Sequence, residues 1–519
     1  MATDTAGPAT VKETLTSLTI AFAMALVFRA FVIEAFIIPT GSLAPTLLGT
    51  HARFHSDRNG YTWTMNPDGD DKRQSVPTNT LDPMTKLPVT DRNARLAAGD
   101  RILVHKYVYL VSEPKRFECV VFKGTDEPES AVIKRLWGLP GEQLTIVDGD
   151  VYIRPGDSDD AGANPWASDA WQIARKPERV QRAVWQPIYN SDFAPTSTNS
   201  PWASPWTGDG TGWDVDGRSY SYKGSGDTVL RWDTTKRSIT DSNAYNPNFG
   251  REREFPVADL RLRAALVPEA DGVTASAIVG ARGHEFRADF TRGQVSLHMR
   301  VEEGEWQEVA SESVPGLMQA GKPSPVEFWH VDQSMQVYAH DRLVLSYEYN
   351  WIPKERLENS TTLTLDQVMS IPIGPDGTPR GQPLSAVYNY KQPRVSWRFS
   401  GGSFTMHRVG LDRDLYYQSL AYNGLDGKPY LGTHPMNIAK MGPDDFMMLG
   451  DNSPLSLDSR AWTVMDPYVK ELDTPVGFVN RDLILGKAFF VYFPAPLRRD
   501  VFGMAKLPIP DFGRMRFIR

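Results

Sequence analysis

CVVFKGTDEPESAVIKRLWGLPGEQLTIVDGDVYI, residues 119–153, decides how the rest of this chain is read. It reads as two short apolar strands, closed by Gly, Pro and Asp turns, flanking a segment that contains Lys134 and Arg135. Val132, Ile133, Leu136 and Trp137 surround these cations, so the spacing predicts that one of them is pressed into an apolar setting. Desolvation disfavours a charged ammonium and lowers a lysine pKa, and a neutral amine can take a proton from a serine hydroxyl. The bland alternative leaves both cations solvated at strand ends.

Upstream, FIIPTGSLAPTLLGT, residues 36–50, is an apolar run broken by Pro39, Gly41 and Pro45 around one serine, Ser42. That punctuation predicts a sharp turn able to hold Ser42 at the edge of a surface, although such clusters also serve as plain loops. Downstream, FMMLGDNSPLSLDSRAW, residues 446–462, reads as an apolar strand, a turn at Gly450, Asp451 and Asn452, and then Ser456, Asp458, Ser459 and Arg460. Short polar side chains at this density suit a hydrogen-bonded scaffold, in which Arg460 can grip Asp458 or Asp451 with two parallel bonds. A structural Asx turn is the alternative.

With 519 residues the chain exceeds one ordinary core, so several domains are expected. Its 41% hydrophobic and 23% charged residues are those of a folded protein. A net charge of -7 without a long Lys/Arg cluster excludes nucleic acid as a partner. Cys119, the single cysteine, cannot form an internal disulfide. Residues 15–38, LTSLTIAFAMALVFRAFVIEAFII, are long enough to span a bilayer, with the best portion at 15–28 and with Arg29 and Glu34 near the far interface. We therefore expect one N-terminal transmembrane helix with the N-terminus inside; a cleaved secretory signal is the competing reading.

The three stretches, in this order behind an apolar segment, resemble the bacterial type I signal peptidases. PTGSLAPTLLG (39–49) looks like the family's nucleophile box, GDRILVHKY (99–107) like its next strand, VIKRLWGLPGE (132–142) like its lysine box and LGDNSPLSLDSR (449–460) like its last box. The resemblance implies Ser42 as nucleophile and Lys134 as general base. It further implies Thr40 in an oxyanion hole with the Ser42 backbone N–H, Ser456 orienting the Lys134 amine, and Asp458 with Arg460 bracing that region. It implies no cofactor and no metal, exported preproteins as substrates, and a cell-membrane location with the catalytic domain extracytoplasmic and the lipid bilayer as neighbour. Phe36 and Ile38 are candidates for lining the substrate pockets. Leu43 stands where the family usually has methionine, and Ser453 with Pro454 where it usually has a charged pair.

Two insertions depart from the minimal pattern. Residues 51–98 read as an irregular loop, whose His51, His55 and Asp57 lack the spacing of a metal site. Residues 155–258 read as irregular, rich in Trp, Pro, Gly and Ser. Residues 259–404 alternate apolar and polar residues at period two, as in PVEFWHVDQSMQVYAHDRLVLSYEY (325–349), which predicts an antiparallel β-sandwich. It resembles the jelly-roll modules of the laminin-G or concanavalin type, which implies a glycan or protein ligand; Trp329 could stack on it, but suits core packing.

The expected architecture is thus mainly β. Residues 1–35 form a tail and membrane helix, 36–154 and 405–519 a catalytic domain of two antiparallel sheets, and 155–404 the insertion. The alternatives in function are a catalytically inactive tethered binding protein and a Ser–Lys protease with one dedicated substrate.

Overall fold

The computed structural model describes residues 11–31, 33–69, 73–78, 80–91, 94–197, 200–215, 217–246, 254–370, 389–418, 429–495, 497–501, 504–509 and 511–519; side chains at 25–31 and 497–509 lie outside this description. The architecture is mainly β, as expected. One eight-stranded sheet runs in the order Ile33–Ile37, Arg101–His105, Ile484–Phe493, Cys119–Lys123, Ala131–Gly138, Asp445–Leu449, Val479–Asn480, and Arg516–Phe517 also pairs with Ile484–Phe493. A four-stranded sheet contains Gln172–Ile173, Asp150–Pro155, Glu142–Val147 and Ala439–Lys440. Both sheets therefore join strands from either side of the large insertion.

Lys134 and Arg135 do not sit between two strands. They lie inside a strand of their own, Ala131–Gly138, because Cys119–Lys123 pairs on one edge and Asp445–Leu449 on the other. Both faces of this strand are also covered, with Ile133 in one core and Leu136 in another, which accounts for a run of apolar residues without strict alternation.

The N-terminal helix, Val11–Phe31, ends earlier than the apolar run predicts. Ile33–Ile37 leaves it to pair with Arg101–His105, so the last apolar residues serve the sheet. Among the described residues no helix is long and apolar enough to cross a membrane; side chains 25–28 of the expected span 15–28 lie outside those residues. Glu34 pairs with Lys106 at 3.1 Å, and the Arg29 side chain lies outside the described residues. The helix does leave Leu15, Leu18, Ile20, Phe22 and Met24 exposed.

The insertion carries two large sheets that share one core. Leu260, Leu262, Val326 and Phe328 from one sheet meet Ala277, Phe286, Leu297 and Trp397 from the other. Leu260–Pro268 buries every second residue, as the period-two pattern predicts. The segment expected to be irregular contributes Gln186–Asn190, Trp206–Gly208, Trp213–Asp214, Ser219–Tyr222 and Thr228–Trp232 to these sheets, and Phe404–Arg413 closes one of them. Those strands are short and Trp-rich, and pairing with Arg394–Ser400 and Phe404–Arg413 orders them. Trp329 is fully buried against Trp185 and Tyr338, in the core role.

Residues 51–98 also hold more structure than a loop. His51–His55, Thr62–Met65 and Arg95–Ala97 form a small sheet over Ala52, Phe54, Trp63 and Met65.

A buried ion network ties the insertion to the catalytic sheets. Asp148, between two strands of the four-stranded sheet, accepts from Arg282 at 2.6 Å and Arg356 at 3.0 Å, and Arg356 also pairs with Asp150 at 2.7 Å. Arg282 pairs with Asp259 at 2.7 Å, and Lys176 bridges Asp332 at 2.5 Å and Asp414 at 2.8 Å. Asp150, Asp259 and Asp332 bring carboxylate oxygens within 4.8 Å of one another, as a cation site would. Each of the three is paired with an arginine or lysine, although across the whole network five carboxylates share three cations, Arg282, Arg356 and Lys176.

Candidate active site

Alternation along Ala131–Gly138 puts Lys134 on the face of Leu136, with Val120 opposite it; these residues share a core with Phe446 and Met448. The solvated reading of the pair fails for both cations: Lys134 is 4% exposed and Arg135 0%. Lys134 Nζ donates to Ser456 Oγ at 3.1 Å. Burial lowers the amine's pKa, Asp458 opposes that and Arg460 adds to it, and the result is a lysine pushed down to about 8. At neutral pH a usable fraction of this amine is uncharged.

The two arginines take different carboxylates. Arg460 grips Asp458 through Nε and Nη2, both at 2.9 Å, and donates Nη1 to Ser453 Oγ at 2.8 Å. Asp458 also accepts the Gly450 N–H at 3.0 Å. Burial alone would raise the Asp458 pKa, but Arg460 beside it holds the carboxyl below its ordinary value. Arg135 grips Asp451 at 2.7 and 2.6 Å, and its Nη1 donates to the Phe117 carbonyl at 2.8 Å. Asp451 reaches onward to accept from the Thr46 hydroxyl at 2.5 Å, four residues past Ser42.

The turn that carries Ser42 is fastened from two sides. Leu43 and Leu47 are buried in the core with Ile102, Val104, Cys119, Val121 and Ile133. Asn452 donates its backbone N–H to the Ser42 carbonyl at 3.1 Å and its Nδ2 to the Gly41 carbonyl at 2.9 Å. Gly450 completes the junction. A Cβ there would lie 2.1 Å from Ser456 Oγ and 2.5 Å from the Ser42 carbonyl oxygen, so only glycine fits where the two boxes touch.

Ser42 itself is half-buried, and Thr40 is exposed. Among the described residues no hydrogen bond joins Ser42 to Lys134; the amine's partner is Ser456. Phe36 is half-buried, whereas Ile38 is 3% exposed and packs in the same core as Leu43, so its side chain serves the fold rather than an open pocket. His51 is buried with Nδ1 2.7 Å from the Gly49 carbonyl, and burial pushes its pKa down to about 4. His55 points to solvent, so the insertion's histidines are not gathered into a site. Sequence pattern marks Asn452 only as a turn former and leaves Thr46 unremarked. Their contacts across some four hundred residues have no local signal.

Ser456→Ala removes the hydroxyl at the amine and leaves Lys134 in place. A lost hydrogen bond of this kind lowers kcat about 10- to 100-fold. Steady-state kinetics beside a melting curve test this; an unchanged kcat would remove Ser456 from the site.

The comparisons agree with this part of the chain. A family model described as "Signal peptidase, peptidase S26" matches residues 81–186, a window that contains Lys134 and stops short of Ser42 and Ser456. Signal peptidase I of Rickettsia typhi is 30% identical over 144 residues, covering 28% of this chain and 44% of that protein. Signal peptidase I of Rickettsia prowazekii is 29% identical over 144 residues, with the same shares of 28% and 44%. The chain thus spans less than half the length of the curated relatives it matches. Among solved structures, the carbohydrate binding module CBM66 from Bacillus subtilis aligns with 40% of this chain and 96% of that one, at 12% identity and a TM-score of 0.23. That likeness is too distant to carry an argument about the insertion. Over part of its length, including residues 81–186, the chain is similar to the type I signal peptidases and matches the peptidase S26 model.

Proposed function

We propose that this chain is a serine endopeptidase that removes signal peptides from exported precursors, with Ser42 as nucleophile and Lys134 as general base. One observation carries the reading: a lysine amine buried in an apolar sheet, with its pKa lowered to about 8, on the strand of the family match. Ser42 Oγ attacks the scissile carbonyl and passes its proton to Lys134 Nζ, which returns it to the leaving amine; water then releases the acyl-enzyme. The Ser42 N–H and the Thr40 hydroxyl are the donors proposed for the developing oxyanion. Ser456 orients the amine, and Asp458 with Arg460 braces the Gly450 backbone beneath it. Cleavage at a membrane surface is supported by the exposed Leu15, Leu18, Ile20 and Phe22 of the N-terminal helix.

The pH profile tests the base. Only the neutral amine accepts a proton, so kcat/KM rises about tenfold per pH unit below the lysine pKa and levels off above it. With that pKa near 8, the rise falls between pH 6 and 8. A rate that is flat across this window excludes Lys134 as the base.

A further inference from the structure

Residues 239–246, part of the insertion, leave the sandwich and reach the nucleophile turn. Asp241 is tied to Phe255 in both directions, its N–H donating at 2.9 Å and its Oδ1 accepting at 2.8 Å. Arg413, buried at the end of a sandwich strand, donates Nη2 to the carbonyls of Asp241 at 2.8 Å and Ser242 at 3.2 Å. Asn243 then closes a turn, accepting the Tyr245 N–H on Oδ1 and the Asn246 N–H on its carbonyl, both at 2.9 Å. From the other insertion, the Asn66 N–H holds the Tyr245 carbonyl at 2.7 Å.

Both residues so held face the turn that carries Ser42. Tyr245, 2% exposed, packs with Ala44 and Leu48. Its ring lies so close to Gly41 that a Cβ at position 41 would stand 2.5 Å from Cε1. Asn246 pairs amide to amide with Asn452. Asn452 Nδ2 donates to Asn246 Oδ1 at 3.1 Å while also donating to the Gly41 carbonyl, and Asn246 Nδ2 returns a bond to Asn452 Oδ1 at 2.5 Å. That pairing decides which end of the Asn452 amide faces Gly41.

We propose that Tyr245 and Asn246, contributed by the insertion, are positioning residues that hold the Gly41–Ser42 turn in a single conformation for catalysis. The inference rests on the assignment of Ser42 as nucleophile. Core contacts at Ile38, Leu43 and Leu47 fasten the flanks of the turn, whereas Tyr245 lies directly against Gly41 and the Asn246–Asn452 pair holds the Gly41 carbonyl. A nucleophile displaced by about 1 Å loses roughly 100-fold in rate, so contacts with no chemical role of their own are felt in kcat. The insertion then supports the active site through these two contacts.

The test is a double-mutant cycle between positions 41 and 245, run on the full chain with a signal-peptide substrate. Gly41 does not occupy the positive-φ region, and the atoms nearest an alanine Cβ there are the ring and hydroxyl of Tyr245. We expect Gly41→Ala to lower kcat roughly 100-fold and Tyr245→Ala about 10-fold, with KM little changed. Tyr245→Phe keeps the ring and stays within about threefold of wild type, and Tyr245→Ala added to Gly41→Ala recovers about 10-fold. The apparent lysine pKa stays near 8 throughout, since Lys134 is untouched. Full activity of Gly41→Ala, or no recovery in the double variant, overturns the proposal. The same cycle read by urea unfolding separates the two claims. Additive effects in both readouts, with an active wild type, remove the positioning role alone; non-additive unfolding with an inactive wild type removes the proposed function and the positioning role with it.

Discussion

Ser42→Ala and Lys134→Ala are each expected to abolish precursor cleavage, by a factor on the order of 10⁴ or more, because in the proposed mechanism either change removes one of two groups that act as a unit. The lysine offers a sharper version of this test. Its folded pKa of about 8 lies below its ordinary value of 10.5, so the folded state binds the proton less tightly than the unfolded one. The contribution of this lysine to stability is therefore least favourable below pH 8 and improves as pH rises from about 8 towards 10.5, where the unfolded chain still holds the proton that the folded chain has released. Lys134→Met removes that cost, up to about 3 kcal/mol at neutral pH. The expected result is an inactive protein at least as stable as the wild type, measured by peptide cleavage beside urea unfolding. Retained cleavage in either variant excludes the dyad. A Lys134→Met protein much less stable than wild type would mean that the amine is not held at a cost.

Asp451→Ala should damage folding before it damages chemistry. Arg135 is fully buried and spends Nε and Nη2 on Asp451, so removing the carboxylate leaves an uncompensated guanidinium in the core. Breaking a buried pair from one side costs about 3–5 kcal/mol, whereas replacing both partners with apolar residues is close to neutral. Urea unfolding of Asp451→Ala, beside the double variant Arg135→Leu/Asp451→Leu, distinguishes the two cases. A loss below about 1 kcal/mol in the single variant would mean that water or another group takes over the arginine. The Thr46 hydroxyl loses its acceptor in both variants, so a fall in kcat in the stable double variant reports the tie between this pair and the Ser42 turn.

The sandwich was legible because each strand carries its own signal. Residues 260–268 and 284–291 alternate at period two, and alternation is a local consequence of one face being covered. Residues 186–232 escaped that reading since their strands are two to five residues long, too short for a period to register. Ala131–Gly138 escaped it for the opposite reason: buried on both faces, it has no polar side to alternate with. The N-terminal helix was misjudged in length, because apolar residues look alike whether they continue a helix or enter a strand, and the partner Arg101–His105 lies some seventy residues away.

The candidate site residues could be named from the chain alone, since Ser42, Lys134, Ser456, Asp458 and Arg460 each lie in a short stretch whose residue types and order are distinctive. Their relations could not. That Lys134 meets Ser456, that Arg135 takes Asp451 and leaves Asp458 to its near neighbour Arg460, and that Asn452 and Tyr245 clamp the turn before Ser42 depend on segments brought together across two to four hundred residues. Local pattern reports which face of an element is covered, but a hydrogen bond between distant side chains is set by sheet order and register. Those follow only when the whole core packs.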